Sequence, residues 1–221
     1  MNLTKSGIGI LSLSGSNSYS GDTTVDSGKL VVDGSITSAV TVNSGATLGG
    51  HGSTGALTVA NGGTIAPGNS PGILTVASAT LVNGSIFSMD LNKSVAEGGL
   101  VGTNWDQLNV TGLLDVSTVT SGGISLVLNN YALEGWSWDP TVNHTWTSFL
   151  SFGSASENLN ANLFTIDASA FSGEGHWSVI QESNQLDLQY QAVPEPTTWA
   201  MLVGGLGMLA FGQRMRRRDA R

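Results

Sequence analysis

The repeating unit of the chain is clearest in residues 23–34, which read TTVDSGKLVVDG. Two runs of three or more apolar or β-branched residues are each closed by a turn that contains Asp and Gly. Strands of this length cannot fold alone, because each exposes the apolar face that it should bury. Stacked on similar strands, they form a continuous core, as the turns of a β-solenoid do. The segment therefore predicts a solenoid.

The same rhythm extends over residues 8–92. Further strand-like runs lie at 10–13, 40–42, 57–59, 73–76 and 80–82, and Gly, Asn, Asp or Ser follows each of them closely. Sixteen of the 30 glycines precede residue 86. Tight turns between strands need positive φ, which Gly adopts at little cost. Regularly spaced Val, Leu and Ile residues argue against the alternative, a disordered Gly/Ser-rich linker.

Residues from about 3 to 76 also resemble a known family, the autotransporter-associated β-strand repeat of bacterial surface passengers. The resemblance rests on GILSLSGSNSYSG at 9–21, TTV at 23–25 and GKLVV at 28–32, with GATLGG and APGNSPG further along. It implies a right-handed parallel β-helix that serves as a stalk or display surface. Autotransporters end in a membrane β-barrel of about twelve strands, for which this chain has no room, so self-translocation is not implied.

The composition changes near residue 92. Ten of the 15 aromatic residues lie between Trp105 and Trp177, and strand-like runs continue to residue 190. Larger side chains predict a wider core, a sandwich or a cap on the solenoid. We therefore predict a β-helix region at 1–92, truncated at its N-terminus, and a β-rich module at 93–193. Residues 1–13 hold no apolar segment long enough for an export signal, so we expect further repeats upstream.

The last residues predict a membrane-targeting segment. Residues 196–213 carry no charged side chain, and five arginines follow them. As a helix, these 18 residues would span roughly 27 Å, close to the hydrocarbon thickness of a bilayer. Under the positive-inside rule the arginines stay cytoplasmic, so the body lies outside the cytoplasmic membrane. The predicted fold class is thus all-β: a right-handed parallel β-helix, a β-rich module and one C-terminal transmembrane helix.

The same tail resembles the PEP-CTERM protein-sorting domain of Gram-negative bacteria. The resemblance rests on Pro194, Glu195 and Pro196, the short apolar span, and the basic cluster of Arg214, Arg216, Arg217 and Arg218, which together define an anchor segment at 194–218. It implies export, an exosortase as processing partner, cleavage near the triplet and final residence at the outer surface or in the extracellular matrix. An ordinary tail anchor that is never cut remains the alternative.

Charge excludes one class of partner. Before residue 194 the chain carries three lysines against 14 carboxylates, so its surface repels phosphate backbones and we expect no nucleic acid. The three histidines have no metal-ligand spacing, no Gly-x-Ser-x-Gly elbow exists, and cysteine is absent, so we predict no cofactor, metal or catalytic residue. Each histidine is interpreted as a surface or turn residue.

The predicted function is that of a non-enzymatic exported surface or matrix protein. The first alternative is a carbohydrate-binding module for exopolysaccharide, in which Trp136, Trp138 and Trp146 stack on sugar rings. Here Trp136 and Trp138 would share one face of a strand. The competing interpretation places these rings in the core. The second alternative is a β-helix polysaccharide lyase or hydrolase that uses paired carboxylates among Glu134, Asp139 and Glu157.

Overall fold

Two sheets make up the computed structural model, which describes residues 1–69, 71–131 and 136–193. The eleven-stranded sheet contains β1 (Leu3–Lys5), β3 (Ser16–Asn17), β4 (Thr23–Val25), β6 (Ser35–Ile36), β7 (Val40–Val42), β9 (Ser53–Val59), β11 (Ile73–Leu81), β13 (Gln107–Asp115), β15 (His144–Ala155), β17 (His176–Glu182) and β18 (Gln185–Gln191). The seven-stranded sheet contains β2 (Ile10–Leu13), β5 (Gly28–Val32), β8 (Ala46–Gly50), β10 (Thr64–Pro67), β12 (Ser85–Leu91), β14 (Ile124–Asn130) and β16 (Phe164–Asp167).

From β7 to β16 the chain alternates strictly between the two sheets. Each strand pairs in parallel with the equivalent strand of the next coil, so that β8 lies between β5 and β10, and β9 lies between β7 and β11. This is the arrangement that a stack of two-strand coils produces. The parallel pairing also continues across residue 92, because β11 pairs with β13 and β12 pairs with β14.

The core consists of columns of apolar side chains at register-equivalent positions. In the seven-stranded sheet one column holds Leu30, Leu48, Ile65, Phe87 and Leu126, each at most 1% exposed. Burying a side chain of this size stabilises the fold by about 1.5 to 3 kcal/mol. Buried and half-buried residues alternate along β12 and β14, and this alternation places Phe87 and Leu126 in the column.

Glycine turns on one side of the stack form a ladder of their own. Gly45, Gly62, Gly84 and Gly122 all have φ between +70° and +83°. The N–H of Gly45 donates to the carbonyl of Gly62, and the N–H of Gly62 donates to the carbonyl of Gly84, both at 2.8 Å. A residue with a Cβ would be strained at these φ values, which is why the sequence repeats glycine at this point of each coil.

The parallel stack ends in an antiparallel hairpin. β17 and β18 pair with each other, and β18 pairs with β15 in the opposite direction. The eleven-stranded sheet thus extends by two strands beyond β15, whereas the seven-stranded sheet stops at β16. Trp146 of β15, Trp177 of β17 and Tyr190 of β18 pack against one another at this end of the sheet.

The predicted fold class needs correction. The described ranges are all-β with parallel sheets, consistent with a β-helix, but they include no helix long and apolar enough to cross a membrane. Their helical elements are two three-residue 3-10 turns, Val95–Glu97 and Ala161–Leu163, because apolar residues here follow a period of two. The transmembrane helix was expected within 194–218, which lies outside the described residues.

Candidate functional site

The body of the protein leads directly into the predicted sorting segment. β18 ends at Gln191, and the N–H of Ala192 donates to Oδ1 of Asn143 at 2.8 Å. Val193 is 55% exposed and is the last residue that the structure describes. The sorting triplet, Pro194, Glu195 and Pro196, and the basic cluster, Arg214, Arg216, Arg217 and Arg218, lie outside the described residues. The chain therefore leaves the last strand at a solvent-exposed point, two residues before the triplet.

The three tryptophans predicted to bind glycans have different surroundings. Trp146 lies on β15, is fully buried, and donates its Nε1–H to the carbonyl of Asn92 at 3.0 Å. Trp138 is half-buried and its Nε1–H donates to the carbonyl of Ser172 at 2.6 Å. Trp136 is also half-buried and donates to Oε1 of Glu97 at 3.1 Å. A fully buried indole offers no face to a sugar ring.

Trp138 and Trp146 belong to an aromatic cluster that packs against the hairpin of β17 and β18. Both rings stack against Trp177, with ring centroids 5.5 Å apart in each case. Phe171 and Tyr190 contact the edge or face of the same rings. The expectation that Trp136 and Trp138 share a strand face is wrong, since both lie outside the strands. Stacking of sugars on these two rings stays a prediction.

His144 is buried, contrary to the expectation of a surface or turn histidine. Its Nε2 lies 2.8 Å from the carbonyl of Asp139, and a carbonyl can only accept, so Nε2 carries a hydrogen. Its Nδ1 lies 3.3 Å from Oγ of Ser94 and 3.4 Å from Oε2 of Glu97. The side chain is only 1% exposed. His144 therefore connects β15 to residues around the 3-10 turn Val95–Glu97.

Glu97 completes this polar cluster. Its Oε2 accepts from the backbone N–H of Ser94 at 2.8 Å and from the Ser94 hydroxyl at 2.9 Å. Burial raises the pKa of Glu97, but the hydrogen bonds from Ser94 and Trp136 and the charge of His144 outweigh it, and the pKa lies below its usual value. The carboxylate is thus held ionised between donors.

The Ser94, Glu97 and His144 cluster does not have the geometry of a nucleophilic triad. In such a triad the serine and the carboxylate bond to opposite nitrogens of the imidazole. Here both lie at Nδ1, and Nε2 is occupied by the carbonyl of Asp139. The three side chains instead hold the segment between β12 and β13, residues 92–106, against β15. Sequence reasoning missed it because Ser94 and His144 are 50 residues apart; the Ser-x-x-Glu capping pattern at 94–97 was the available signal.

Asp106 is a second buried acid that the sequence did not indicate. Its Oδ1 accepts from the N–H of Gly72 at 2.8 Å and its Oδ2 from the N–H of Asp90 at 2.9 Å. The residue is 1% exposed, and desolvation raises the pKa of Asp106 to about 7 despite these hydrogen bonds. Asp106 therefore ties the chain ahead of β11 to β12 and β13.

The remaining polar candidates do not converge. Among the described residues no group of three or more His, Cys, Asp or Glu side chains could hold a metal ion. Asp139 is exposed, and hydrogen bonds from Thr141 hold the pKa of Asp139 below its usual value. His51 is exposed and lies 3.0 Å from Asp33, on the outside of the stack. His176 is exposed as well.

Comparisons with known families match both ends of the chain. Residues 3–32 match the family model of the passenger-associated-transport-repeat, and residues 192–218 match that of the PEP-CTERM protein-sorting motif. Both resemblances predicted from the sequence are thereby confirmed. A comparison with curated proteins finds no match for the chain. The two matched segments flank residues 33–191, which contain most of the solenoid and the hairpin of β17 and β18, and neither match covers them.

Proposed function

We propose that this chain is a non-enzymatic surface protein that is exported, sorted through its C-terminal signal by an exosortase and displayed at the outer surface or in the extracellular matrix. The observation that carries the proposal is the PEP-CTERM motif at 192–218, which begins as β18 ends. The motif supports export, residence at the membrane and then surface localisation. The repeat matched at 3–32 supports the same class of exported surface protein.

The placement of the triplet supports processing by an enzyme. A transpeptidase-like exosortase needs an extended, accessible substrate, because a strand within a sheet cannot enter an active site. Val193 is 55% exposed, and the hydrogen bond from the Ala192 N–H to Asn143 is the last one described before the triplet. Cleavage at or after Pro194 would leave every described strand with the released body.

The body has properties that suit display outside the cell. Each inner strand of the stack is hydrogen-bonded to a strand on either side, and the buried core is continuous from one coil to the next. Charged residues make up only 11% of the chain, and the body's excess of carboxylates keeps it apart from other acidic surfaces. We propose that the solenoid acts as a stiff stalk and takes no part in covalent chemistry.

The experiment that tests this proposal compares two glutamate variants in the native host. Glu195→Ala removes the acid of the sorting triplet, and Glu182→Ala changes a matched exposed glutamate on β17. We expect Glu195→Ala to remain in the membrane fraction, because the exosortase no longer recognises it, while Glu182→Ala is released like the parent chain. Deletion of the exosortase gene should reproduce the Glu195→Ala result.

Two outcomes would refute the proposal. Equal release of both variants would show that the exosortase does not recognise the triplet. Release that persists without the exosortase would show that another process frees the chain, and the tail would then be an ordinary anchor or a different signal.

A further inference from the structure

An open cleft lies beside β16, at the end of the seven-stranded sheet. It has a volume of about 460 Å3 and lies among the turn at 121–122, the 3-10 turn Ala161–Leu163, β16 and β17. Beyond β15 the eleven-stranded sheet continues with β18 and β17. In the described part of the chain, the seven-stranded sheet ends at β16 and supplies no strand opposite them. The cleft is therefore a consequence of the unequal lengths of the two sheets.

The floor of the cleft is apolar and aromatic. Phe164 and Ile166 of β16 are half-buried, whereas their register partners on β14, Ile124 and Leu126, are fully buried. Trp177 of β17 also lines the cleft and is half-buried. The terminal coil thus leaves uncovered an apolar surface that the preceding coils cover, and a partly exposed indole is part of it.

The rim of the cleft is polar and uncharged. Ser121, Asn162, Thr165 and His176 are exposed and bring hydroxyl, amide and imidazole groups to it. The Thr165 hydroxyl donates to the carbonyl of Gly122 at 3.1 Å, which leaves its lone pairs free to accept. Asp, Glu, Lys and Arg are absent from the described lining residues.

We propose that this cleft binds a neutral oligosaccharide or the end of a neutral polysaccharide chain. A sugar ring has an apolar face that packs on an indole and a belt of hydroxyls that needs uncharged donors and acceptors, and the floor and rim supply these two features. The volume lies within the range of small-ligand sites. The proposal goes beyond the display function and moves glycan binding away from the buried Trp146.

Charge and polarity decide between a glycan and other occupants. An anionic polysaccharide would meet no Lys or Arg in the described lining and a body with 14 carboxylates, so it would be repelled. An extended peptide added to β16 would bind through main-chain hydrogen bonds to the strand edge. It would make no use of the exposed hydroxyl, amide and imidazole groups of this cleft, which suit the hydroxyls of a sugar.

The test uses the full chain, purified in a non-glycosidic detergent so that no sugar headgroup competes. The probes are an array of neutral gluco-, manno- and galacto-oligosaccharides, the anionic polysaccharide alginate, and a library of uncharged heptapeptides. Affinity for the retained glycan is then measured by calorimetry for the parent chain, Thr165→Arg, His176→Ala and Thr58→Arg. Thr58 is an exposed threonine on β9, in a distant coil, and serves as the matched control.

We expect a neutral glycan to be retained, Thr165→Arg and His176→Ala to weaken its affinity at least tenfold, and Thr58→Arg to leave it unchanged. Thermal melting of each variant confirms that the fold persists. Retention of no neutral glycan, preference for alginate, retention of peptides alone, or equal affinity in all four proteins would overturn the proposal. Binding is measured on purified protein, so failure of the sorting proposal would not alter the result.

Discussion

Asp106 should make the protein less stable as the pH rises from 5 to 8. The carboxyl group is 1% exposed, and its pKa rises from 3.8 to about 7 in the folded state because burial disfavours the charge. Between these values the folded protein retains a proton that the unfolded chain has lost. The contribution to stability is therefore complete below pH 3.8 and is lost as the pH rises through 7.

The size of this effect follows from the two pKa values. The free energy of unfolding falls by about 1.4 kcal/mol per pH unit while only the folded state holds the proton. Between pH 5 and pH 8 the loss amounts to roughly 2 to 3 kcal/mol, since part of the window lies above the folded pKa. A loss of this size is a large fraction of the stability of an ordinary domain, which is about 5 to 15 kcal/mol.

Asp106→Asn separates this effect from other titrations. The amide cannot ionise and can accept from only one of the N–H groups of Gly72 and Asp90, so the variant should lose about 1 to 3 kcal/mol at pH 5. The difference in free energy of unfolding between the parent chain and Asp106→Asn should narrow or reverse at pH 8. Urea unfolding followed by circular dichroism at pH 5, 6, 7 and 8 measures both profiles, with Asp22→Asn, at an exposed residue just before β4, as control. Parallel profiles for the parent and Asp106→Asn would refute the reasoning.

Three further predictions concern packing and the buried polar cluster. Leu48→Ala should lower the free energy of unfolding by about 2 to 5 kcal/mol in urea titrations, because it opens a cavity in a fully buried column. Gly50→Ala should cost more than about 2 kcal/mol in the same assay, since Gly50 has φ +103° and its Cβ would contact the Val32 backbone, whereas Gly9→Ala, with open space around it, should be tolerated. His144→Gln should raise amide hydrogen exchange of residues 93–106 at least tenfold, and unchanged exchange would show that His144 does not hold this segment.

The coils of the N-terminal half could be predicted because their signals are local. Period-two runs such as 40–42 and 46–48 place Val40, Val42 and Leu48 inside, and several coils repeat this alternation. Gly45 and Gly62 could likewise be assigned to turns, since positive φ is a property of a single residue and its neighbours.

The C-terminal half could not be predicted to the same depth, because its contacts are distant in sequence. The sequence around Trp146 does not show that β18 pairs antiparallel with β15, nor that the Trp177 ring stacks on Trp146. His144 was assigned to the surface because its partner Ser94 lies 50 residues away. The cleft beside β16 depends on a difference in strand number between two sheets, which no short pattern encodes.

The most direct test of the sorting account is top-down mass spectrometry of the native protein from membrane and medium fractions. The account predicts a released form in the medium whose C-terminus lies at or near the triplet Pro194 to Pro196, with every described strand retained. Protein that ends at Arg221 in both fractions, or that is found only in the membrane at full length, would contradict it.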